Sequence, residues 1–190
     1  MASPCVFFDR DGTLNEDVGY LDRLERLVLY PDCIDAVRLL RRAGYLVVVV
    51  TNQAGVAMGI YGENAVRDIH RHMAARFEAG RAPIDGFYYC PHLPDATVAD
   101  YRRACDCRKP QPGLIRQAAH DLDIDVARSF VVGDRWRDIE MGVAVGARTV
   151  LVRTGYGRTE EANPPEGLAA DVVVDNVMQA VVWILGQRER

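Results

Sequence analysis

Short, nearly continuous apolar runs punctuate this chain at CVFFD (5–9), YLVVVVTN (45–52), FYYC (87–90), SFVVGD (129–134), TVLVRTG (149–155) and DVVVDN (171–176). Such runs suit strands buried on both faces, the situation inside a parallel sheet. Between them the spacing of apolar residues becomes helical. In PDCIDAVRLLRRAG, Asp32 is expected to cap a helix and Gly44 to stop it, with Ile34, Val37 and Leu40 turned inward. In PGLIRQAAHDL, Leu114, Ala118 and Leu122 share a face, flanked by Ile115 and Ala119. A last helix follows Asp175-Asn176 and carries Val177, Val181, Ile184 and Leu185. Strands alternating with helices predict a doubly wound, mostly parallel α/β sheet of the Rossmann-like kind. Residues 158–171, with adjacent prolines, read as a surface loop, and no internal repeat or low-complexity tract occurs.

A length of 190 residues suits one domain spanning 1–190. The balance of 23 basic against 27 acidic residues leaves a net charge of −4, which argues against nucleic-acid or anionic-membrane binding. It leaves room for a small anionic substrate, which needs only local cations. The start, MASPCVFFDRDG, lacks the basic and apolar regions of a signal peptide, and LVVVV (46–50) is far too short to cross a membrane. A cytoplasmic protein is expected. Five cysteines, an odd number without an export signal, argue against a disulfide scaffold.

Ligands of open α/β sheets bind at the carboxyl ends of the strands. Here those ends carry Asp9-Arg10-Asp11-Gly12-Thr13, Thr51-Asn52-Gln53 and Gly133-Asp134, with Asp138 one helical turn later and Lys109 arriving from the loop before Gly113. Crowded carboxylates favour a hard divalent cation such as Mg²⁺. Thr51 and Asn52 can donate to phosphate oxygens, and Lys109 supplies a point charge. A carboxylate held beside a phosphate can attack it, and a second one two residues on can move the protons. A single strand-end Asp is commonly only a turn or cap residue, and Gly-Thr after it is good turn chemistry. The joint order of DxDGT, strand-final Thr, Lys-Pro and GDxxxD favours the chemical reading.

The connection from Cys90 to Gly113 is longer than ordinary, so a function or an internal staple is expected there. Cys90-x-His92 and Cys105-x-Cys107, separated by 12 residues, match a four-coordinate Cys₃His zinc site, with plainly buried thiols as the alternative. Four protein ligands would leave no open position, so such a zinc would be structural. Cys5 and Cys33 read as packing residues. His70 and His72 are expected on one surface helix and His120 on another, none with a role.

These segments resemble a phosphatase of the haloacid dehalogenase superfamily, within the group of histidinol-phosphate phosphatases and D-glycero-D-manno-heptose 1,7-bisphosphate 7-phosphatases. The resemblance rests on FFDRDGTLN (7–15), DVGYL (17–21), VVTNQAGVAMG (49–59), YYCPH (88–92), CDCRKPQPG (105–113) and VVGDRWRDIEMG (131–142). It implies a zinc-binding loop at 90–107 and no large cap domain. It implies Asp9 as nucleophile, Asp11 as general acid/base, and Mg²⁺ held by Asp9, the Asp11 backbone carbonyl and Asp134, with Asp138 orienting the cluster. Thr51, Asn52 and Lys109 would hold the transferring phosphoryl group. Gln53, Arg108, Arg135 and the Asp17–Tyr20 segment, including Gly19, would touch the rest of the substrate. The family pattern raises zinc at Cys90, His92, Cys105 and Cys107 above buried thiols. One departure is Met58, where the group usually has a basic residue, so a cation at the mouth of the site is missing.

The expected activity is therefore Mg²⁺-dependent hydrolysis of a sugar phosphate through an aspartyl-phosphate, in a monomer. Arg108 and Arg135 beside Lys109 favour a sugar bisphosphate, a heptose one, over cationic histidinol phosphate. A phospho-accepting signalling domain shares strand-end Asp, Thr and Lys, but a proton-transfer group two residues after the nucleophile suits turnover. A zinc-dependent nucleic-acid module would need a basic face.

Overall fold

The computed structural model describes residues 2–187. Six parallel strands form one sheet in the order β3-β2-β1-β4-β5-β6: β1 (Cys5–Phe8), β2 (Leu46–Asn52), β3 (Gly86–Cys90), β4 (Phe130–Gly133), β5 (Arg148–Val152) and β6 (Val172–Val174). Among the described residues, seven α-helices connect and cover them: α1 (Cys33–Arg42), α2 (Ala54–Ala57), α3 (Glu63–Ala79), α4 (Gly113–Leu122), α5 (Trp136–Val143), α6 (Gly157–Ala162) and α7 (Val177–Gly186). The doubly wound sheet expected from the apolar runs is thus present. Among the described residues, no helix is long and apolar enough to cross a membrane.

The pleat explains why the central runs are apolar throughout. Alternate residues of one strand face opposite sides, so a strand covered on both sides has no solvent face for a polar residue. Val6 and Phe8 of β1 join Val47 and Val49 of β2 in a core with α1, α3 and α7. Cys5 and Phe7 join Val48, Val50 and Val131 against Leu114, Ile115 and Ala118 of α4. Each fully buried Phe or Val contributes about 1.5–3 kcal/mol of apolar transfer, which holds the sheet's centre rigid beneath the strand ends.

Chain order creates the crevice. The chain winds outward from β1 through β2 to β3, then returns to the other side of β1 for β4, β5 and β6. The carboxyl ends of β1 and β4 therefore lie side by side at the switch point, where loops leave in opposite directions. The Asp9 amide donates to the Val132 carbonyl at 2.9 Å, joining these two ends directly. Residues 9–32, between β1 and α1, contain only one short 3₁₀ turn, so no cap-sized element arises there.

Three local expectations are corrected. Asp32 does not cap α1 with its side chain; it takes a left-handed conformation (φ 63°) and only its carbonyl enters the helix, accepting from the Ala36 amide. The stretch 158–171 is not loop throughout, because α6 takes up its first residues, where Glu160 ties to Trp136 through the Trp136 amide and indole N–H. His70 is not on a surface: the helix is amphipathic, and His70 lies on the buried side with Val66, Ile69, Met73 and Phe77. In α7, Asn176 does cap, accepting from the Gln179 amide at 3.0 Å.

Candidate active site and thiol cluster

A cleft of about 370 Å³ opens at the switch point. Of the residues singled out from the sequence, Asp9, Asp11, Asp17, Gly19, Tyr20, Thr51, Asn52, Gln53, Arg108, Lys109 and Arg135 all line it. Asp134 lies beneath the cleft, fully buried. Tyr61, Arg137 and Tyr156 also line it; Arg137 lies within the GDxxxD segment but was not singled out there, and Tyr61 and Tyr156 lie outside the quoted motifs, on segments whose placement depends on tertiary packing.

Asp9, Asp134 and Asp138 converge so closely that one oxygen from each could share a single ion. Lys109 Nζ lies 2.7 Å from Asp9 Oδ1 and 2.6 Å from Asp138 Oδ1, and donates to the Val50 carbonyl at 3.1 Å. With all three carboxylates ionised, one ammonium would leave the cluster two charges negative, which the raised pKa values of Asp9 and Asp134 resist. Burial lifts the Asp9 pKa to about 6, against the pull of Lys109 and with a further push from Asp138. Burial likewise lifts Asp134 to about 8, with Asp9 and Asp138 acting in the same direction. Asp134 Oδ2 accepts from the Tyr156 amide at 2.8 Å, while its buried Oδ1 has no hydrogen-bond partner. An orphaned buried oxygen in an anionic pocket fits a hard divalent cation.

Close backbone approach makes this crowding possible. Gly12 has φ +86°, and a Cβ there would stand 2.2 Å from Asp134 Oδ2. The Thr154 hydroxyl donates to the Gly12 carbonyl at 2.6 Å and fixes the turn from the β5 side. Asp138 also accepts from the Arg135 amide at 3.2 Å, which anchors the start of α5. Asp138 thus contacts both Lys109 and the first turn of α5.

Asp11 belongs to a different network. Its carboxylate accepts from Arg10 Nε and Nη2, with Nη2–Oδ2 at 2.8 Å, from Asn15 Nδ2 at 2.9 Å and from Gln53 Nε2 at 3.0 Å. Burial alone would raise the Asp11 pKa, but Arg10 and these hydrogen bonds outweigh it and hold the pKa below its ordinary value. Gln53 also donates to Thr51 Oγ1 at 2.9 Å and accepts from the Tyr61 hydroxyl, so it links three cleft residues. Asn52 differs from expectation in what it touches: both ends of its amide engage the backbone of Lys109.

The rim is cationic and partly aromatic. Arg135 lies 3.5 Å from Asp17 and places its guanidinium 3.5 Å from the Tyr156 ring centroid. At Met58, where the resemblance leaves a cation missing, the sulfur accepts from the exposed Tyr20 hydroxyl at 2.9 Å.

The cysteines and histidine of the 90–107 loop also meet. Cys90 Sγ is 3.5 Å from Cys105 Sγ and 3.2 Å from Cys107 Sγ, and Cys105 to Cys107 is 3.3 Å. His92 Nδ1 stands 3.3 Å from Cys107 Sγ and 3.7 Å from Cys90 Sγ. Disulfide bonds need about 2.05 Å, and all five thiols are free. The edges of a tetrahedron around zinc, with Zn–S of about 2.3 Å, are about 3.8 Å, so these slightly shorter separations suit a four-coordinate site. Burial raises the Cys107 pKa to about 11 and raises that of Cys90 as well, so thiolates at these two need a cation to compensate them; at Cys105 burial is outweighed by hydrogen bonds from Cys107 and Cys90, and the pKa falls. The cluster reaches the cleft through two bonds: the Cys90 carbonyl accepts from the Gln53 amide at 2.8 Å, and Arg108 donates to the His92 carbonyl at 3.1 Å.

The family model for polynucleotide kinase 3 phosphatase matches residues 5–142, and that for HAD-hydrolase-like proteins matches 106–180. The chain is 41% identical to the D-glycero-beta-D-manno-heptose-1,7-bisphosphate 7-phosphatase of Escherichia coli K12 over 175 residues, covering 92% of this chain and 90% of that protein. It is 39% identical to the protein of that name from Vibrio cholerae, over 97% of this chain and 98% of the other. Its fold is similar to the D,D-heptose 1,7-bisphosphate phosphatase of B. bronchiseptica, solved with magnesium and phosphate. There the TM-score is 0.86 at 30% identity, over 97% of this chain and 99% of that one. The Burkholderia thailandensis enzyme superimposes with a TM-score of 0.71 at 29% identity, over 96% and 98% of the two chains.

Proposed function

Given that the chain belongs to the D-glycero-beta-D-manno-heptose-1,7-bisphosphate 7-phosphatase family of haloacid-dehalogenase-like hydrolases, we propose that it removes the 7-phosphate of a heptose 1,7-bisphosphate. It is a phosphoric monoester hydrolase. The observation that carries the choice of substrate is the cation set of the cleft: Arg108, Arg135 and Arg137 line it in addition to Lys109. One phosphate occupies the charge of Lys109, and the arginines suit a second one on the same small molecule. A net charge of −4 suits a small substrate better than a polyanion such as nucleic acid.

In this reading the carboxylate of Asp9 attacks phosphorus, forming an acyl phosphate as the bond from phosphorus to the sugar oxygen breaks. Asp11 gives a proton to the departing oxygen. It then takes one from the water that attacks the phosphoaspartate, releasing inorganic phosphate and restoring Asp9. Lys109 balances charge on the transferring group, and the Thr51 hydroxyl is available as a donor to it. Asn52 acts through its two bonds to the Lys109 backbone. Gln53, Gly19, Tyr20 and the Asp17–Arg135 pair shape the space for the sugar. Mg²⁺ would be held by Asp9, Asp134 and the Asp11 backbone carbonyl, where it would offset carboxylate charge and polarise the phosphoryl oxygens. The orphaned Asp134 Oδ1 supports that assignment.

Zn²⁺ at Cys90, His92, Cys105 and Cys107 would be structural, since four protein donors leave no position for a reacting group. Its effect on catalysis would pass through Arg108 and Lys109, which follow the last ligand directly. One domain over residues 1–190, a monomeric state and a cytoplasmic location complete the proposal.

The deciding experiment compares phosphate release, with Mg²⁺ present, from D-glycero-D-manno-heptose 1,7-bisphosphate, histidinol phosphate and a 3′-phosphorylated oligonucleotide. Preference for the heptose bisphosphate is expected. Higher kcat/KM on either of the others would overturn the substrate assignment.

A further inference from the structure

We propose that His70 is a positioning residue for the proton-transfer carboxylate: through one contact it fixes Arg10, and Arg10 holds Asp11. The proposal rests on the phosphatase reading and adds a residue that the motifs do not contain.

Arg10 is fully buried, which is exceptional for a guanidinium and requires that its donors be placed. Its Nε and Nη2 both point at the Asp11 carboxylate. Its remaining edge, Nη1, stands 3.2 Å from His70 Nε2. A guanidinium only donates, so Nε2 must offer its lone pair and the ring proton belongs on Nδ1. His70 cannot turn away readily, because its ring stacks on Phe87 (centroids 4.9 Å apart, planes 26° apart) and meets the edge of Tyr89 at 5.7 Å. Burial first, and then the Arg10 charge, lower its pKa to about 3, so the imidazole stays a neutral acceptor through the physiological range.

This gives Asp11 a rigid support from the side away from the cleft. Asn15 and Gln53 bond the same carboxylate, whose side chain keeps 19% of its surface accessible. Asp11 must serve two steps in succession, first giving a proton to the departing sugar oxygen and later taking one from water. Small errors in placement cost much in such steps. Asp9, by contrast, is held by Lys109 and by the Arg10 backbone amide, which donates to Asp9 Oδ1 at 2.7 Å and does not depend on the guanidinium that His70 meets. Loss of the imidazole should therefore slow proton transfer selectively and leave the nucleophile in place.

A leaving-group comparison reads that selectivity. kcat/KM reports the first irreversible step, here expulsion of the leaving group, and p-nitrophenolate departs without a proton while a sugar alkoxide does not. With Mg²⁺ present, His70→Leu should lower kcat/KM on the heptose bisphosphate about tenfold or more, and leave p-nitrophenyl phosphate within about twofold. His70→Gln, whose carbonyl oxygen can accept from Arg10, should recover most of the loss. Equal losses on both substrates, no loss on the sugar, or no recovery with Gln would each overturn the proposal. If His70→Leu fails to fold, nitrogen NMR of the wild-type chain decides: Nε2 should be unprotonated and Nδ1 protonated, and the opposite tautomer refutes the contact. A wild-type chain inactive on both substrates would instead defeat the phosphatase reading itself.

Discussion

Asn52 and Lys109, 57 positions apart, exchange a pair of hydrogen bonds: Asn52 Nδ2 donates to the Lys109 carbonyl at 3.2 Å, and the Lys109 amide donates to Asn52 Oδ1 at 3.0 Å. A side-chain amide thus pairs with the peptide of Lys109 as a neighbouring strand would. It sets the point from which the lysine enters the acid cluster. Asn52→Ala should lower kcat more than it raises KM and cost about 1–2 kcal/mol of stability by unpairing both groups. Steady-state kinetics and chemical denaturation measure both. An effect on KM alone would mean that Asn52 only contacts substrate.

Asp9→Asn should abolish turnover while preserving the fold. The amide is nearly isosteric, and Lys109 retains Asp138 at 2.6 Å. Circular dichroism should match wild type, and no phosphate should be released above background. Residual turnover within about tenfold of wild type would be incompatible with a nucleophile at Asp9.

Cys107→Ser should lower the zinc content of the purified protein from one equivalent and lower its melting temperature. Loss of kcat/KM should be about 10- to 100-fold, the scale seen when support around a site is lost. The loss should persist at saturating Mg²⁺, because Arg108 and Lys109 are misplaced while the carboxylates are intact. Full recovery with added Mg²⁺ would separate the thiol cluster from the active site.

His70 should make stability depend on pH. Its folded pKa of about 3 lies below the ordinary value of 6.5, so the unfolded chain binds the proton more readily. The stabilisation is complete above about pH 6.5 and is lost as pH falls toward 3. Between pH 7.5 and 5.0 wild type should lose about 1–2 kcal/mol more than His70→Gln. Denaturation of both proteins at the two pH values isolates this difference, since the acid cluster is common to them. Parallel pH profiles would show that His70 titrates normally.

Arg137 should matter for a second phosphate. Arg137→Ala is expected to raise KM for the heptose bisphosphate and to leave KM for p-nitrophenyl phosphate within about twofold, as for loss of a contact remote from the reacting phosphate. Equal increases would assign Arg137 to the transferring group instead.

The strands could be read from the chain because burial on both faces forbids polar residues, a rule that acts locally. The same locality made Asp9, Thr51 and Gly133-Asp134 recognisable as strand ends. Asp32 escaped that logic: a cap depends on the backbone angle at which the chain enters the helix, and its φ of 63° turns the side chain out of reach. His70 escaped it too. A histidine on an amphipathic helix has no mark in the sequence that distinguishes a solvated ring from one stacked on Phe87.

The sequence by itself determined which chemistry was available: paired aspartates at one strand end, hydroxyl and amide at another, a lysine before Pro110, and three soft thiols with an imidazole in a long connection. Only the tertiary structure decided how these groups divide. Reversal of winding at β1 brings Asp9, Asp134, Asp138 and Lys109 into one charged cluster, and folding brings Gln53 to Asp11 and His70 to the Arg10 beside it. The physical reason is range. Strand burial and turn chemistry are set by neighbours in sequence, whereas the charge balance of a buried cluster depends on groups that meet only when the sheet closes.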